Sequence, residues 1–326
     1  MQVFNVLLIG AGRMGLRHLR GVAKEADEIS IVYHHRNIDK EVRQVLDECE
    51  YKGSLNVVSS IEMAAGLGNK FDAAILSATA EERVKRFEKV IALDIDHILL
   101  EKPIEQSREN VLKIQTLANQ ANSDIRCNNV FREQPIFEDF CNTNSITQMT
   151  VNAGAIGLGC GGIHWIDLAL YLSGEKSGQF VCGKLDQLLV SSGRGEQFKD
   201  FGGYGLFEFG NGSTLYLQVG AESSSSVVCV ITQGHQQLVI DPLGSMSIHR
   251  RKEGVNHPNY LYGQDYVTRQ VSNFFNIDAS VQTRLWLQHV KGGRSSKLPT
   301  LKEAVSGHEL LFDLLETNGA KIFPIT

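Results

Sequence analysis

The chain has 326 residues and a formal net charge of −5 at pH 7. This length is too great for one ordinary hydrophobic core and predicts two domains. With 42% hydrophobic and 21% charged residues, the composition is typical of a soluble globular protein. The negative charge gives no electrostatic reason to expect nucleic acid or an anionic membrane as a partner.

The sequence shows no targeting or membrane segment. No stretch approaches the roughly 20 uninterrupted apolar residues of a membrane span, and residues 1–10 lack the basic start of a signal peptide. The six cysteines are scattered, without a CxxC pair or a Cys/His cluster, so neither a zinc site nor a disulfide framework is indicated. We therefore expect a cytoplasmic protein without a bound metal.

The first third of the chain alternates predicted strands and helices. The continuous apolar run VFNVLLIG is typical of a strand buried on both faces. The other predicted elements are strands at residues 29–35, 71–79 and 97–103 and helices at residues 14–24, 81–93 and 107–121. This alternation indicates βαβ units around a parallel sheet.

The chain changes character after a short helix that contains His164. Glycine separates a series of short β-like runs, at residues 205–220, 226–234 and 235–250. Within the first of these, Asn211-Gly212 is a hairpin turn signal. We expect a mostly antiparallel sheet here, followed by a closing helix that starts near Thr300.

Gly10, Gly12 and Gly15 form a G-x-G-x-x-G motif between a predicted strand and a predicted helix. In this context Gly10 permits a tight turn, Gly12 leaves room for a pyrophosphate, and Gly15 lets the helix pack closely on the strand. The first N–H groups of the helix, beginning at Arg13 and Met14, would bind the phosphates. The motif predicts a dinucleotide site, and a glycine turn without that function is the alternative.

The second predicted strand ends in IVYHHRN, without the acidic residue that usually binds the adenosine ribose. His35 and Arg36 stand there instead, and a guanidinium pairs bidentately with a phosphate. The pattern favours NADP(H) over NAD(H). In the alternative, Arg36 is a solvated loop residue and NAD binds without the acidic contact.

Two further groups carry candidate chemistry. Glu101 and Lys102 follow a buried strand, at the edge where open α/β sheets bind ligands, although a lysine there is equally explained as a solvated strand end. His164 and Asp167 are three residues apart and share one helix face. They are either a structural pair or a proton-transfer pair. The Glu-Lys-Pro strand end favours the functional interpretation.

The order and spacing of these motifs resemble the glucose–fructose oxidoreductase / inositol dehydrogenase / MocA (Gfo/Idh/MocA) family. The glycine motif is followed by Glu-Lys-Pro, by R-x-x-P from Arg132 to Pro135, and by G-x-H-x-x-D from Gly162 to Asp167. The resemblance covers nearly the whole chain. It implies an α/β protein with an N-terminal Rossmann domain (residues 1–123) and a C-terminal α/β domain with a mostly antiparallel open sheet (residues 124–326).

The resemblance also implies roles for individual residues. Lys102 would contact the substrate hydroxyl and the nicotinamide, Glu101 would lie near the nicotinamide ribose, and His164 would be the general acid/base. We assign Asp167 to the catalytic group beside His164. The remaining candidates are the cofactor-cleft residues Ser77, Ala78 and Thr79 and the substrate contacts Arg132, Cys160 and Tyr171.

Three positions depart from the family pattern. Cys160 stands where members often carry aspartate, Ala80 replaces a proline, and Arg83 matches a frequent histidine. The resemblance implies an NAD(P)-dependent oxidoreductase acting on a hydroxyl or keto carbon of a sugar, cyclitol or nucleotide-linked sugar, for example in surface-polysaccharide biosynthesis. The exposed face of an open sheet also predicts a homo-oligomer, either a dimer or a tetramer.

Two alternative functions fit the same motifs. In the first, the cofactor stays bound through a redox cycle, and the net reaction is an epimerisation or an elimination. In the second, the protein is a non-catalytic NAD(P)-binding regulator on the same fold. The absence of a carboxylate at Cys160 favours this second alternative.

Overall fold

The computed structural model describes residues 3–33, 39–68, 70–140, 145–192, 195–241, 245–254, 258, 266–271 and 278–326. The chain forms two compact units. The first comprises residues 1–133, 277–308 and 324–326, and the second comprises residues 134–276 and 309–323. No helix in the described ranges is long and apolar enough to cross a bilayer.

The first unit is built on a parallel sheet with helices between its strands. In chain order its elements are β1 (Asn5–Ile9), α1 (Arg13–Val22), β2 (Glu28–Val32), α2 (Asp39–Glu48), β3 (Ser54–Val58), α3 (Ile61–Ala65), β4 (Ala73–Leu76), α4 (Arg83–Ile91), β5 (His97–Leu100), α5 (Arg108–Ala118) and β6 (Asp124–Cys127). The 6-stranded sheet has the order β3-β2-β1-β4-β5-β6, and every pair is parallel. The strand order therefore reverses between β1 and β4, which is where doubly wound sheets bind ligands.

The second unit is built on a larger sheet. Its elements are α6 (Pro135–Phe140), β7 (Thr147–Ala153), α7 (Ile163–Ser173), β8 (Gly178–Ser191), β9 (Lys199–Phe209), β10 (Thr214–Val219), β11 (Val228–Gln233), β12 (Gln236–Ile240), β13 (Met246–Arg251) and β14 (Tyr266–Val271). The 8-stranded sheet has the order β14-β13-β12-β11-β7-β10-β9-β8. Only the β7–β10 pair among these described strands is parallel. The predicted fold class is confirmed.

Two helices complete the chain, α8 (Ala279–Val290) and α9 (Leu301–Leu315). α8 packs on α1 at Gly21, where a Cβ atom would stand 2.4 Å from the carbonyl oxygen of Ser280. Trp286 of α8 is fully buried in the same apolar cluster as Leu19 of α1. This apolar contact holds α8 on the Rossmann sheet, within the first compact unit. The predicted domains, residues 1–123 and 124–326, stay a prediction.

Candidate functional site

The glycine loop joins β1 to α1. Gly10 has a φ of +93°, and a Cβ atom on it would stand 2.6 Å from the amide nitrogen of Ala78. At Gly15 a Cβ atom would stand 2.0 Å from the carbonyl oxygen of Gly10. At Gly12 it would meet no heavy atom of the described residues within 4 Å. Two of the glycines are therefore enclosed by backbone, whereas the third borders open space.

This space fits the phosphates of a dinucleotide. Gly12 is the N-cap of α1, no side chain among the described residues caps the helix, and its first turn contains no acidic residue. The amide N–H groups that follow, from Arg13 and Met14, lie at the positive end of the helix dipole. The start of α1 therefore has the geometry and the charge of an anion site.

The strand ends beside the loop carry the predicted cleft residues. The Ser77 hydroxyl lies 2.6 Å from the carbonyl oxygen of Gly10 and 3.1 Å from that of Ile9, so it ties the end of β4 to the glycine loop. Ala78 and Thr79 follow it and are partly exposed. His35 and Arg36 lie outside the described residues.

Glu101 is held in a buried network at the end of β5. Thr283 donates its hydroxyl proton to the carbonyl oxygen of Ala279 (2.6 Å), so its oxygen accepts a hydrogen bond from Nδ1 of His18 (2.7 Å). The Nε2 of His18 lies 2.9 Å from Oε1 of Glu101, to which Asn128 also donates. Both ring nitrogens of His18 therefore face oxygen acceptors, Thr283 Oγ1 and Glu101 Oε1. The charge-assisted pair of His18 and Glu101 joins α1 to β5.

Charge and hydrogen bonding keep Glu101 ionised. Burial opposes ionisation, but the hydrogen bond and charge of His18, with the charge of Lys102, lower the pKa of Glu101 to about 2. Glu101 is only 3% exposed, and its Oε2 has no hydrogen-bond partner in the described part of the chain. Its carboxylate thus supplies a fixed negative charge directly beside Lys102, which is itself buried.

Arg132 also lies in the first unit. It is in a short 3₁₀ helix (Val130–Glu133) and is buried. Its Nη1 lies 3.3 Å from Oε1 of Glu303, so this predicted substrate contact has a carboxylate partner at the start of α9. Its contact with substrate stays a prediction.

The second unit places the other candidates on one continuous segment. A π-helical turn (Leu158–Gly162) leads directly into α7. Cys160 is in the turn and is partly exposed, whereas His164 and Asp167 are buried in α7 and Tyr171 is partly exposed. Every other residue of α7 is buried, as expected for a helix that is apolar on all sides.

A carboxylate from β9 anchors the π-helical turn. Oδ1 of Asp200 accepts a hydrogen bond from the amide of Gly159 (2.7 Å), and Oδ2 accepts one from the amide of Cys160 (2.8 Å). Gly157 precedes the turn with a φ of +76°, and a Cβ atom on it would stand 2.2 Å from Asp200 Oδ2. Asp200 therefore fixes the backbone that presents Cys160 and starts the helix of His164. No three His, Cys, Asp or Glu side chains in the described ranges are grouped as metal ligands.

His18, Asn128 and Asp200 were not predicted as site residues. A signal for His18 was available, because a histidine beside Leu19 lies on the apolar face of the helix that follows the glycine motif. Asp200 contacts Gly159 across 41 positions, and no local pattern indicates such a contact.

Comparison with known proteins adds two findings. Residues 4–129 match the model of an oxidoreductase family with an NAD-binding Rossmann fold, GFO_IDH_MocA. No curated protein matches the sequence significantly.

Similar solved structures extend over nearly the whole chain. A levoglucosan dehydrogenase in complex with NADH and levoglucosan is 14% identical, with a TM-score of 0.74, and the match covers 98% of each chain. UDP-N-acetylglucosamine 3-dehydrogenase from Acidithiobacillus ferrooxidans is 16% identical, with a TM-score of 0.67 over 97% of this chain and 96% of that one. An oxidoreductase from Desulfitobacterium hafniense, described as NADPH-dependent, is 12% identical, with a TM-score of 0.71 over 97% and 96%. At these identities the likeness shows the fold.

Proposed function

We propose that this protein moves a hydride between a nicotinamide dinucleotide and a carbohydrate, because its residues 4–129 match the model of the Gfo/Idh/MocA oxidoreductase family. The family match confirms the predicted resemblance in the first unit and the class of enzyme, an oxidoreductase. We propose in addition a class of substrate, a preferred dinucleotide and the roles of individual residues.

The open space at Gly12 carries the proposal. In the part of the chain that the structure describes, a Cβ atom there would meet no heavy atom within 4 Å, and the φ of −67° suits any residue. Neither packing nor backbone conformation therefore requires glycine at this position. A pyrophosphate approaching the N–H groups of α1 does require it.

The residues divide the chemistry between them. A bound nicotinamide dinucleotide would supply the hydride acceptor or donor. Lys102 directs its ammonium at the substrate oxygen and favours alkoxide character there. His164 takes the hydroxyl proton in oxidation and returns it in reduction, because imidazoles titrate near neutral pH. Asp167, nearly one helical turn further along α7, orients the imidazole.

The substrate proposed is a sugar, a cyclitol or a nucleotide-linked sugar. The names of two similar structures, levoglucosan dehydrogenase and UDP-N-acetylglucosamine 3-dehydrogenase, support this class, and surface-polysaccharide biosynthesis is a pathway that uses it. Arg132, Cys160 and Tyr171 are the proposed additional contacts. At position 160 the substrate meets a thiol where many family members offer a carboxylate.

We propose NADP(H) as the preferred dinucleotide. β2 ends at Val32, and the sequence from Tyr33 to Ile38 contains no carboxylate, so the ribose 2′-hydroxyl of NAD lacks its usual acidic partner. His35 and Arg36 in that segment suit a 2′-phosphate. The scattered cysteines support a cytoplasmic location, where thiols stay reduced.

Parallel titration of NADPH and NADH, followed by nicotinamide fluorescence, tests the cofactor. We expect NADPH to bind about 10-fold more tightly, a difference of ~1.4 kcal/mol. Tighter binding of NADH would contradict the role of Arg36. Binding of neither dinucleotide by well-folded protein would overturn the catalytic proposal.

Lys102→Met tests the reaction. The variant keeps an apolar stem and loses the ammonium, so the rate of hydride transfer should fall about 100-fold. The rate is measured with a sugar that the wild-type protein converts. Lys113→Met is the control, because Lys113 is an exposed partner of Glu109 on α5. Full turnover in Lys102→Met would contradict the assigned role. Conversion of a sugar without release of free NAD(P)H would favour the redox-cycling epimerase or lyase.

A further inference from the structure

The position of Arg83 is energetically unfavourable for a cation. It is the first residue of α4, yet its side chain is only 2% exposed. A cation at a helix N-terminus faces the positive end of the helix dipole, and removing it from water costs free energy. Burial lowers the pKa of Arg83 to about 10, so the guanidinium stays charged at neutral pH. Its hydrogen bonds must offset both costs.

Those hydrogen bonds join the ends of two neighbouring strands. Nη2 of Arg83 donates to the carbonyl oxygen of Ala78 (2.5 Å), just beyond β4. Nη1 donates to the carbonyl oxygen of Glu101, before Lys102, and to that of Pro103 (2.5 Å), after it. It also lies 3.3 Å from the carbonyl oxygen of Ile104. One planar side chain thus satisfies buried carbonyl oxygens that no regular strand pairing reaches.

His308 of α9 also holds the backbone that follows Lys102. The amide of Ile104 donates to Nε2 of His308 (3.0 Å), and Nδ1 of His308 donates to the carbonyl oxygen of Ala304 (2.7 Å). Burial lowers the pKa of His308 to about 4, so the ring is neutral and Nε2 is an acceptor. The backbone on both sides of Lys102 therefore has little freedom to move.

The strand order predicts which end of a bound dinucleotide would lie beside the contacts of Arg83 and His308. The pyrophosphate site is at the start of α1, and the adenosine ribose of a Rossmann dinucleotide lies at the end of β2. The nicotinamide end of a bound dinucleotide would therefore lie on the other side, at the ends of β4 and β5, which Ala78 and Lys102 follow.

We infer that Arg83 is a positioning residue, which fixes Lys102 and the Ala78 backbone against the nicotinamide half of the dinucleotide. The inference rests on the proposed function. A general structural role of Arg83 would affect the whole dinucleotide site. The positioning role concerns only the nicotinamide end and leaves the glycine loop unaffected.

Arg83→Lys separates these roles. Lysine keeps the charge but lacks the planar fork that reaches both strand ends. Binding is measured for two ligand pairs, NADPH with 2′-phospho-ADP-ribose and NADH with ADP-ribose, in which the second member lacks the nicotinamide. Arg86→Lys is the matched control, since Arg86 lies three residues further on α4. In the described structure its guanidinium pairs with the carbonyl oxygen of Glu81 and the Glu82 carboxylate, away from Lys102.

In Arg83→Lys the affinity for NADPH should fall about 10-fold, as expected for the loss of one charge-assisted contact. Affinity for 2′-phospho-ADP-ribose should stay within about twofold, and Arg86→Lys should change neither. Equal weakening of both ligands, or no change in either, would overturn the inference. If Arg83→Lys does not fold, Arg83→Gln, which still donates from one amide, is measured in the same way. A wild-type protein that binds neither ligand would instead overturn the proposed function, and the inference with it.

Discussion

At Gly15 a Cβ atom would stand 2.0 Å from the carbonyl oxygen of Gly10, whereas at Gly12 it would meet nothing within 4 Å. Gly10 alone among the three has a positive φ, +93°. The same residue type is thus required for backbone conformation at Gly10, for packing at Gly15 and for ligand space at Gly12. The G-x-G-x-x-G pattern alone does not distinguish these reasons.

Alanine at Gly12 should therefore impair dinucleotide binding, whereas alanine at Gly15 should impair stability. Gly12→Ala should change the free energy of unfolding by less than about 1 kcal/mol and weaken NADPH binding about 100-fold, ~2.7 kcal/mol. Gly15→Ala should lower the free energy of unfolding by about 3 kcal/mol, because the added methyl group meets backbone. Urea denaturation and fluorescence titration measure the two effects. Unimpaired NADPH binding by Gly12→Ala would contradict the assignment of its space to the pyrophosphate.

At the scale of elements, the π-helical turn Leu158–Gly162 depends on a carboxylate from another strand. In Asp200→Asn one acceptor oxygen becomes an NH₂ group, which faces the amide N–H of Gly159 or Cys160. A buried donor without an acceptor costs about 1–3 kcal/mol, so the free energy of unfolding should fall by about 2 kcal/mol. NADPH binding should persist, because the glycine loop belongs to the first unit.

Asp186→Asn on β8 is the control for this prediction. Asp186 is exposed and accepts one long hydrogen bond from Ala221 (3.4 Å), so its exchange should change stability by less than about 0.5 kcal/mol. Urea denaturation of the two variants makes the comparison. Equal stability of Asp200→Asn and Asp186→Asn would show that the carboxylate does not hold the turn.

Elements with strong local signals could be predicted from the sequence. The helix predicted at residues 107–121 forms as α5, with Ser107 accepting a hydrogen bond from the amide of Asn110 (3.3 Å) as its N-cap. The hairpin predicted at Asn211-Gly212 joins β9 to β10. β8 was not predicted, because its pairing with β9 is irregular between Phe180 and Cys182 and again between Leu185 and Leu189. These irregularities break the alternation that identifies a strand.

The candidate site, too, could be predicted only where its signals are local in sequence. The glycine loop and Glu-Lys-Pro were predicted because their chemistry depends on neighbours in sequence. The contacts that hold Glu101 and the π-helical turn were not predicted, since His18 meets Glu101 across 83 positions and Asp200 meets Gly159 across 41. Pairs at such separations depend on the topology of the whole unit, which one sequence pattern does not contain.

At the scale of the whole molecule, the sheet of the second unit exposes apolar side chains. Val181, Leu188 and Leu189 on β8 are 45%, 54% and 51% exposed, and Val267 on β14 is 54% exposed. Among the described strands β8 and β14 are the two edges of the sheet, and apolar edges favour association. A second copy of the chain offers the same surfaces, so we propose a homo-oligomer with a two-fold interface.

Light scattering coupled to gel filtration tests this proposal against the chain mass of 36.1 kDa. We expect a mass of two or four chains for the wild-type protein. Leu188→Lys should shift the mass toward one chain, because a charge at the centre of an apolar contact is desolvated without a partner. Met63→Lys is the control, since Met63 on α3 is also 54% exposed but lies outside the second unit. A wild-type monomer at micromolar concentration, or equal dissociation in the two variants, would show that this sheet does not form the interface.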